Sequence, residues 1–487
     1  MTLLLLIPCV VLTWWPTSTW MRLLLHRDMA GYGFIVAGYG LLSGLLVTTL
    51  LMRLTAVSGV DLSFAVVALM LLVLGVVGEA AYRARRRSAA FSQALAKPPL
   101  SRWQRVLIGF LLVLILIRFL SLGLELVWRP LFPWDATIHW AIKTKVWLEH
   151  QALLPFVSQE AWLTQADSDT YTVHLAQYPE TIPLLQTWTG LAMGGYHPSL
   201  INLPWLAMYA GMGLALYGQA RNIGVGAVVA CAGSYLLLSM PLLNTHVALA
   251  GYADLMLGAC YLAAVMALHG ACTLPTQRIA QGTLALLFAG ACMLIKNEGI
   301  FWFLTILGGM LAAALPRRLF WPVLLVCGVL GITLLGVFPK DLGVAGHSLE
   351  ELDLYYRPEA WTGIVYSLLL LDSWHLLPWF ALLLVTGYWL NGRGGAGSLV
   401  GIGTALALAL LLFLTLYLGT GYAGGATQLT AVSRTSLQLM PTVLYLCLIL
   451  YQARLTPQAT GATSPSHNDP TQARDRIKEQ CSTAPLP

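Results

Sequence analysis

In PWDATIHWAIKTKVW (133–147), a helix starting at Asp135 places Asp135, His139 and Lys143 at i, i+4 and i+8, on one face. A carboxylate, an imidazole and an ammonium group sharing a face can move a proton or hold an anion. Trp134, Trp140 and Trp147 supply rings suited to a membrane interface, so the same stretch also reads as an interfacial anchor with an Asp N-cap and snorkelling lysines. Four further polar clusters stand at the ends of apolar runs. Tyr178-Pro179-Glu180-Thr181-Ile182-Pro183 opens an amphipathic stretch that ends at Gly194-Gly195-Tyr196-His197-Pro198. Gly251-Tyr252-Ala253-Asp254 begins a run, where a helix N-terminus offers free N–H groups to an anion. Lys296-Asn297-Glu298-Gly299 fills a connection too short to be a loose loop, and Ser433-Arg434, with Gln438 one turn later, enters the last run.

Each cluster has a plain structural alternative: Asp254 capping its helix, Lys296 and Glu298 neutralising one another, Arg434 snorkelling to headgroups. Ionisable groups near a bilayer are costly, however, and chance does not put five such clusters at one depth. His246, His269 and His375 read as structural histidines.

The elements that position these residues are membrane spans. Of 487 residues 58% are hydrophobic and only 10% charged. Some 280 apolar residues approach the 260 or so consumed by about thirteen spans of about 20 residues. This excludes a soluble globular protein, a disordered chain and a nucleic-acid-binding surface, and the long uninterrupted runs exclude a transmembrane β-barrel. The net charge of +6 comes largely from Arg83, Arg85, Arg86, Arg87, Lys97, Arg102 and Arg105, between two apolar runs. By the positive-inside rule that loop is cytoplasmic. The eight cysteines include no CxxC and read as packing residues.

Walking the alternation from that loop gives spans near 2–22, 30–52, 58–80, 106–128, 198–218, 223–243, 253–270, 280–296, 299–315, 319–338, 363–390, 398–420 and 431–452. The segments 129–180 and 339–362, rich in acidic residues, then lie outside together with all five clusters. The expected organisation is three additional N-terminal spans and the basic loop (1–104), a catalytic module (105–338) with an external loop at 129–197, a second external loop and C-terminal spans (339–454), and a disordered cytoplasmic tail (455–487).

The order and sidedness of these segments resemble the GT-C superfamily of polytopic glycosyltransferases, in the branch of protein O-mannosyltransferases and lipid A aminoarabinose transferases. The resemblance covers roughly 105–315. It rests on Asp135 just outside an early span, the external helix YPETIPLLQTWTGLAMGG, the span after GGYHPSLINLP, Asp254 in GYADLMLGA and the lysine turn LIKNEG, with a weaker echo at SRTSLQLMP. QYPETIP departs from the His-Pro-Pro or Pro-Pro-Leu start of relatives, and His174 is a possible substitute for that histidine.

The resemblance implies an all-α bundle of about thirteen transmembrane helices with amphipathic juxtamembrane helices in the external loop. It also implies a bacterial inner-membrane enzyme with a periplasmic site. Asp135 is then the general base of an inverting transfer from a polyprenyl-phosphate sugar to a lipid-linked or cell-envelope acceptor. His139, Lys143, Lys145, Tyr178, Glu180, Tyr252, Asp254, Lys296, Asn297, Glu298, Arg434 and Gln438 are the candidates for binding the donor's phosphate and sugar. Asp135 and Asp254 are candidates for a divalent cation, Mg or Mn. Membrane lipids are expected partners and nucleic acid is not. Two rival readings stay open: a transporter or lipid flippase, which would show discontinuous helices and charges at mid-membrane, and an O-antigen ligase or polymerase, which would carry key arginines and a histidine in a late loop where only Arg357 and His347 stand.

Overall fold

The computed structural model describes residues 2–88, 100–165, 170–337, 343–344, 347–348, 352–391 and 397–455. Most of the basic loop after residue 88, Asp167 and Asp169, part of the segment 339–362 and the tail from 456 lie outside the described residues.

The chain is all-α. Its first helices are α1 (Leu6–Leu24), α2 (Tyr32–Val57), α3 (Phe64–Ser88), α4 (Arg102–Trp128), α5 (Ile142–His150), α6 (Gln159–Gln165) and α7 (Thr181–Met193). Next come α8 (Leu203–Asn222), α9 (Ala227–Ser239), α10 (Pro241–Ala248), α11 (Asp254–Thr273), α12 (Arg278–Ile295), α13 (Gly299–Ala314) and α14 (Arg317–Val337). The last are α15 (Ala360–Val365), α16 (Leu377–Leu390), α17 (Gly397–Gly419), α18 (Ala423–Thr427), α19 (Val432–Leu437) and α20 (Met440–Leu455). Two-residue strands pair in parallel at Phe156–Val157 and Tyr171–Thr172, and antiparallel at Gly343–Val344 and His347–Ser348.

Seven of the described helices (α2, α3, α4, α8, α11, α12 and α17) are long and apolar enough to cross a membrane, and α9 with α10 makes an eighth if that bent pair is one span. Five shorter apolar helices of 10–17 residues accompany them, so at full length the count falls short of the expected thirteen. This is a multi-pass membrane protein, and several expected spans are broken. Met240 precedes Pro241 and is extended, as proline's ring requires, so the expected span 223–243 bends by 56° between α9 and α10. The expected span 363–390 divides into α15, a π-helix at Tyr366–Leu370 and α16, with the polar Asp372-Ser373 between and Pro378 in the first turn of α16. The span expected at 431–452 is interrupted at Gln438–Leu439, ahead of Pro441.

Helix α11 is the axis of the bundle. Alanine, glycine and cysteine at Gly258, Ala259, Cys260, Ala263, Ala264 and Ala267 let neighbours approach on every side, and the helix is buried along most of its length. Helix α4 is instead exposed along most of its length, as a helix facing lipid would be. Helices α2 and α8 touch through Gly31 and Gly218, where a Cβ on Gly31 would stand 2.9 Å from the Gly218 Cα.

The segment expected as an external loop departs from the sequence expectation. Helix α7 was expected as an amphipathic helix, yet all its residues but Leu191 are buried, Gln186 hydrogen-bonding Thr144 and Asn202. It plugs the end of the bundle. Trp140 and Trp147 are buried as well, and of the three tryptophans only Trp134 is exposed in the manner of an interfacial anchor.

Candidate functional site

The site forms where four helix ends meet. Asp135 stands at the head of a π-helix, Ala136–Ala141, that continues into α5. Such a widened turn within a helix is common at functional sites. Facing it, Gly251 has φ +113°, open only to glycine, and a Cβ there would lie 2.5 Å from the Ala136 Cβ. This turn delivers Tyr252 and Asp254 against the π-helix. Gly251→Ala is expected to cost about 1–3 kcal/mol through strain and overpacking, read as a lower thermal unfolding midpoint.

Asp254, the first residue of α11, is the hub, with its side chain 1% exposed. Its Oδ1 accepts from Gln438 Nε2 at 2.7 Å and from Lys296 Nζ at 3.1 Å. Its Oδ2 accepts from Arg434 Nη2 at 3.1 Å and Nε at 3.3 Å. The third nitrogen of that guanidinium, Nη1, donates to Asp135 Oδ2 at 2.7 Å. Arg434 therefore ties the two carboxylates together. Its Cζ lies 4.4 Å from the Tyr252 ring centroid, so the aromatic face holds the cation from one side. Lys296, in the break between α12 and α13, also bonds Glu298 Oε1 at 2.5 Å. A charged pair this buried persists only when fully hydrogen-bonded, and Asp254 satisfies that condition.

Gln438 was expected to contact the donor, but it is fully buried and holds Asp254 instead. Trp302 Nε1 donates to Gln438 Oε1 at 2.7 Å, which turns the amide nitrogen toward the carboxylate. Gln438→Leu removes both bonds, stranding the indole N–H and one lone pair of Asp254. An expected loss of about 1–3 kcal/mol should appear in thermal unfolding.

Beside this cluster stands an aromatic wall. Tyr178 stacks on Trp140 at 5.2 Å, and its ring lies 5.8 Å from that of His139, which stacks on His174 at 5.9 Å. Burial pushes the His139 imidazole below its ordinary range, and the nearby Asp135 carboxylate opposes this. Nδ1 of His139 is buried without a hydrogen-bond partner, as is Nδ2 of Asn297. Burial likewise pushes the Tyr178 and Tyr252 hydroxyls up.

Other expected site residues stand elsewhere. Lys143 turns away from Asp254 and donates to the carbonyls of Ala176 at 3.2 Å and Tyr178 at 3.4 Å. Glu180 pairs with Arg53 at 3.1 Å. Lys145 lies 4.9 Å over the Tyr196 ring. The metal assignment to Asp135 and Asp254 does not fit the donor set: both oxygens of Asp254 are taken by cations or an amide, and a guanidinium stands between the two carboxylates. Among the described residues no three His, Cys, Asp or Glu side chains gather to hold an ion.

Sequence reasoning missed Arg53 and Trp302, and also Tyr417, whose hydroxyl lies 2.7 Å from Thr435 Oγ1 beside Arg434. Arg53 left a signal, a lone cation just past the apolar run 30–52. Trp302 and Tyr417 look like ordinary aromatic residues of a span. Comparison of the chain with protein-family models, with curated proteins and with solved structures finds no match.

Proposed function

We propose that the protein is a membrane glycosyltransferase, moving a sugar from a polyprenyl-phosphate donor to a lipid-linked or cell-envelope acceptor with inversion. In this reading it works at the periplasmic face of a bacterial inner membrane, in a GT-C-like bundle of about thirteen spans. One observation carries the reading: Asp135, Asp254, Lys296 and Arg434, far apart in sequence, converge on one cluster with Arg434 bonded to both carboxylates.

In the reaction, the acceptor's O–H or N–H proton goes to Asp135 Oδ1, the oxygen not bonded to Arg434. The acceptor atom forms its bond to the anomeric carbon from the Asp135 side. The bond from that carbon to the phosphate oxygen breaks, and the electron pair leaves with the polyprenyl phosphate, stabilised by cationic side chains. His139 Nδ1 and Asn297 Nδ2, buried and unpartnered, offer hydrogen bonds to sugar hydroxyls, and Tyr178 offers a face to the ring. The test is transfer from a panel of polyprenyl-phosphate sugars by the purified full chain.

A transporter or flippase is the second reading, favoured by the 56° break between α9 and α10 and by ionisable residues at helix breaks. Its test is substrate uptake into proteoliposomes. Uptake without transfer would replace the first reading.

A further inference from the structure

A phosphate needs surplus positive charge. Around Asp254 the two cations, Lys296 and Arg434, already face three carboxylates, Asp135, Asp254 and Glu298. On the other side of Tyr178 the balance reverses. Arg53, near the end of α2, and Lys143, on α5, face a single carboxylate, Glu180, to which Arg53 contributes only Nη1. The Nε and Nη2 atoms of Arg53 are buried with no hydrogen-bond partner. A buried, charged donor without an acceptor is costly and calls for a partner. Lys143 Nζ meets only neutral carbonyls within hydrogen-bond distance, and burial pulls its ammonium below the usual lysine range. Water would satisfy these N–H groups but would leave the net positive charge.

The position also matters. Eight residues of helix, most of them in the π-helical turn, separate Asp135 from Lys143, on the order of 10 Å along the axis. A base and a leaving group on opposite sides of an anomeric carbon need such a separation, with the sugar between them. The aromatic wall of Tyr178, Trp140 and His139 lies along that interval, and Tyr178 reaches both ends: its carbonyl accepts from Lys143, and its hydroxyl feels the charges of Lys296, Glu298 and Asp254.

We propose that Arg53 and Lys143 form the binding site for the phosphate of an isoprenoid-linked donor, with Glu180 occupying one arm of Arg53. The assignment to a donor rests on the transferase reading; the anion site itself does not. It also gives the extra N-terminal spans a purpose, because α2 supplies Arg53.

The experiment titrates the detergent-solubilised full chain with farnesyl phosphate, inorganic phosphate and dihexanoylphosphatidylglycerol by calorimetry. Arg53→Gln and Lys143→Met are expected to weaken farnesyl phosphate binding about ten- to a hundredfold. Glu180→Gln is expected to tighten it, because it frees Arg53. That opposite sign is decisive: if the Arg53–Glu180 bridge were only structural, breaking it from either side would have the same effect. Equal or weaker binding in Glu180→Gln, or unchanged binding in Arg53→Gln, overturns the proposal. Inorganic phosphate should follow the same order at lower affinity. Phosphatidylglycerol binding as tightly as farnesyl phosphate would mark an ordinary headgroup site and overturn the donor assignment. If the binding pattern holds but no donor supports transfer, the transferase reading fails while the anion site stands.

Discussion

Asp254→Asn is expected to destabilise the protein by about 3 kcal/mol, because it removes a buried charge that compensates two partly buried cations at once. The carboxylate is 1% exposed and accepts from Gln438, Lys296 and Arg434. Asparagine keeps the shape but loses the charge, and its amide group points N–H bonds at one of the cations. Lys296 retains Glu298 and Arg434 retains Asp135, both more exposed, so the network loosens from its centre. Thermal unfolding of the detergent-solubilised chain reads the effect. A midpoint equal to that of the unsubstituted protein would mean that the cluster is not what holds the ends of α11, α12 and α19 together.

Asp135→Asn is expected to act through chemistry and not through folding. Asp135 is 30% exposed and shares Arg434 with Asp254, so an asparagine carbonyl can keep the Nη1 contact at little cost in stability. Losing the proton acceptor is expected to lower transfer about 10²–10⁴-fold. The check is a rate assay with a polyprenyl-phosphate sugar that the unsubstituted protein accepts, run beside a melting curve. Full activity in the variant would remove Asp135 as the base. A lost activity accompanied by a large drop in melting temperature would instead class Asp135 with Asp254 as a structural ion.

Several sequence expectations survive contact with the structure because they rest on local chemistry. Asp254 does open its helix, and Lys296 does sit in a tight break between two apolar helices. Hydrogen bonds join Asp254 to both Lys296 and Arg434. The expected roles fared differently where burial intervened. Gln438, one turn from Arg434, looks equally exposed in sequence, yet packing against Trp302 seals it inside. Lys143 shares a helical face with Asp135 in the sequence reading, yet the chain just before helix α7 brings the carbonyls of Ala176 and Tyr178 to its ammonium. Helix α7 reads as amphipathic, but its Gln186 and its threonines are hydrogen-bonded inside the protein, so the helix can be buried.

By itself the sequence determined the class of the molecule, a helical membrane protein, because hydrocarbon accepts only long apolar runs whose backbone polar groups are satisfied within the helix. It also determined which ionisable residues stand at the ends of those runs, since their cost within the hydrocarbon leaves few other places. Only the tertiary structure decided which of them meet: the close approach of Gly251 to Ala136 and the packing of neighbours around the small residues of α11 are tertiary outcomes. Partnership between charges depends on distances of a few ångströms across the bundle, and no local pattern along the chain encodes those distances.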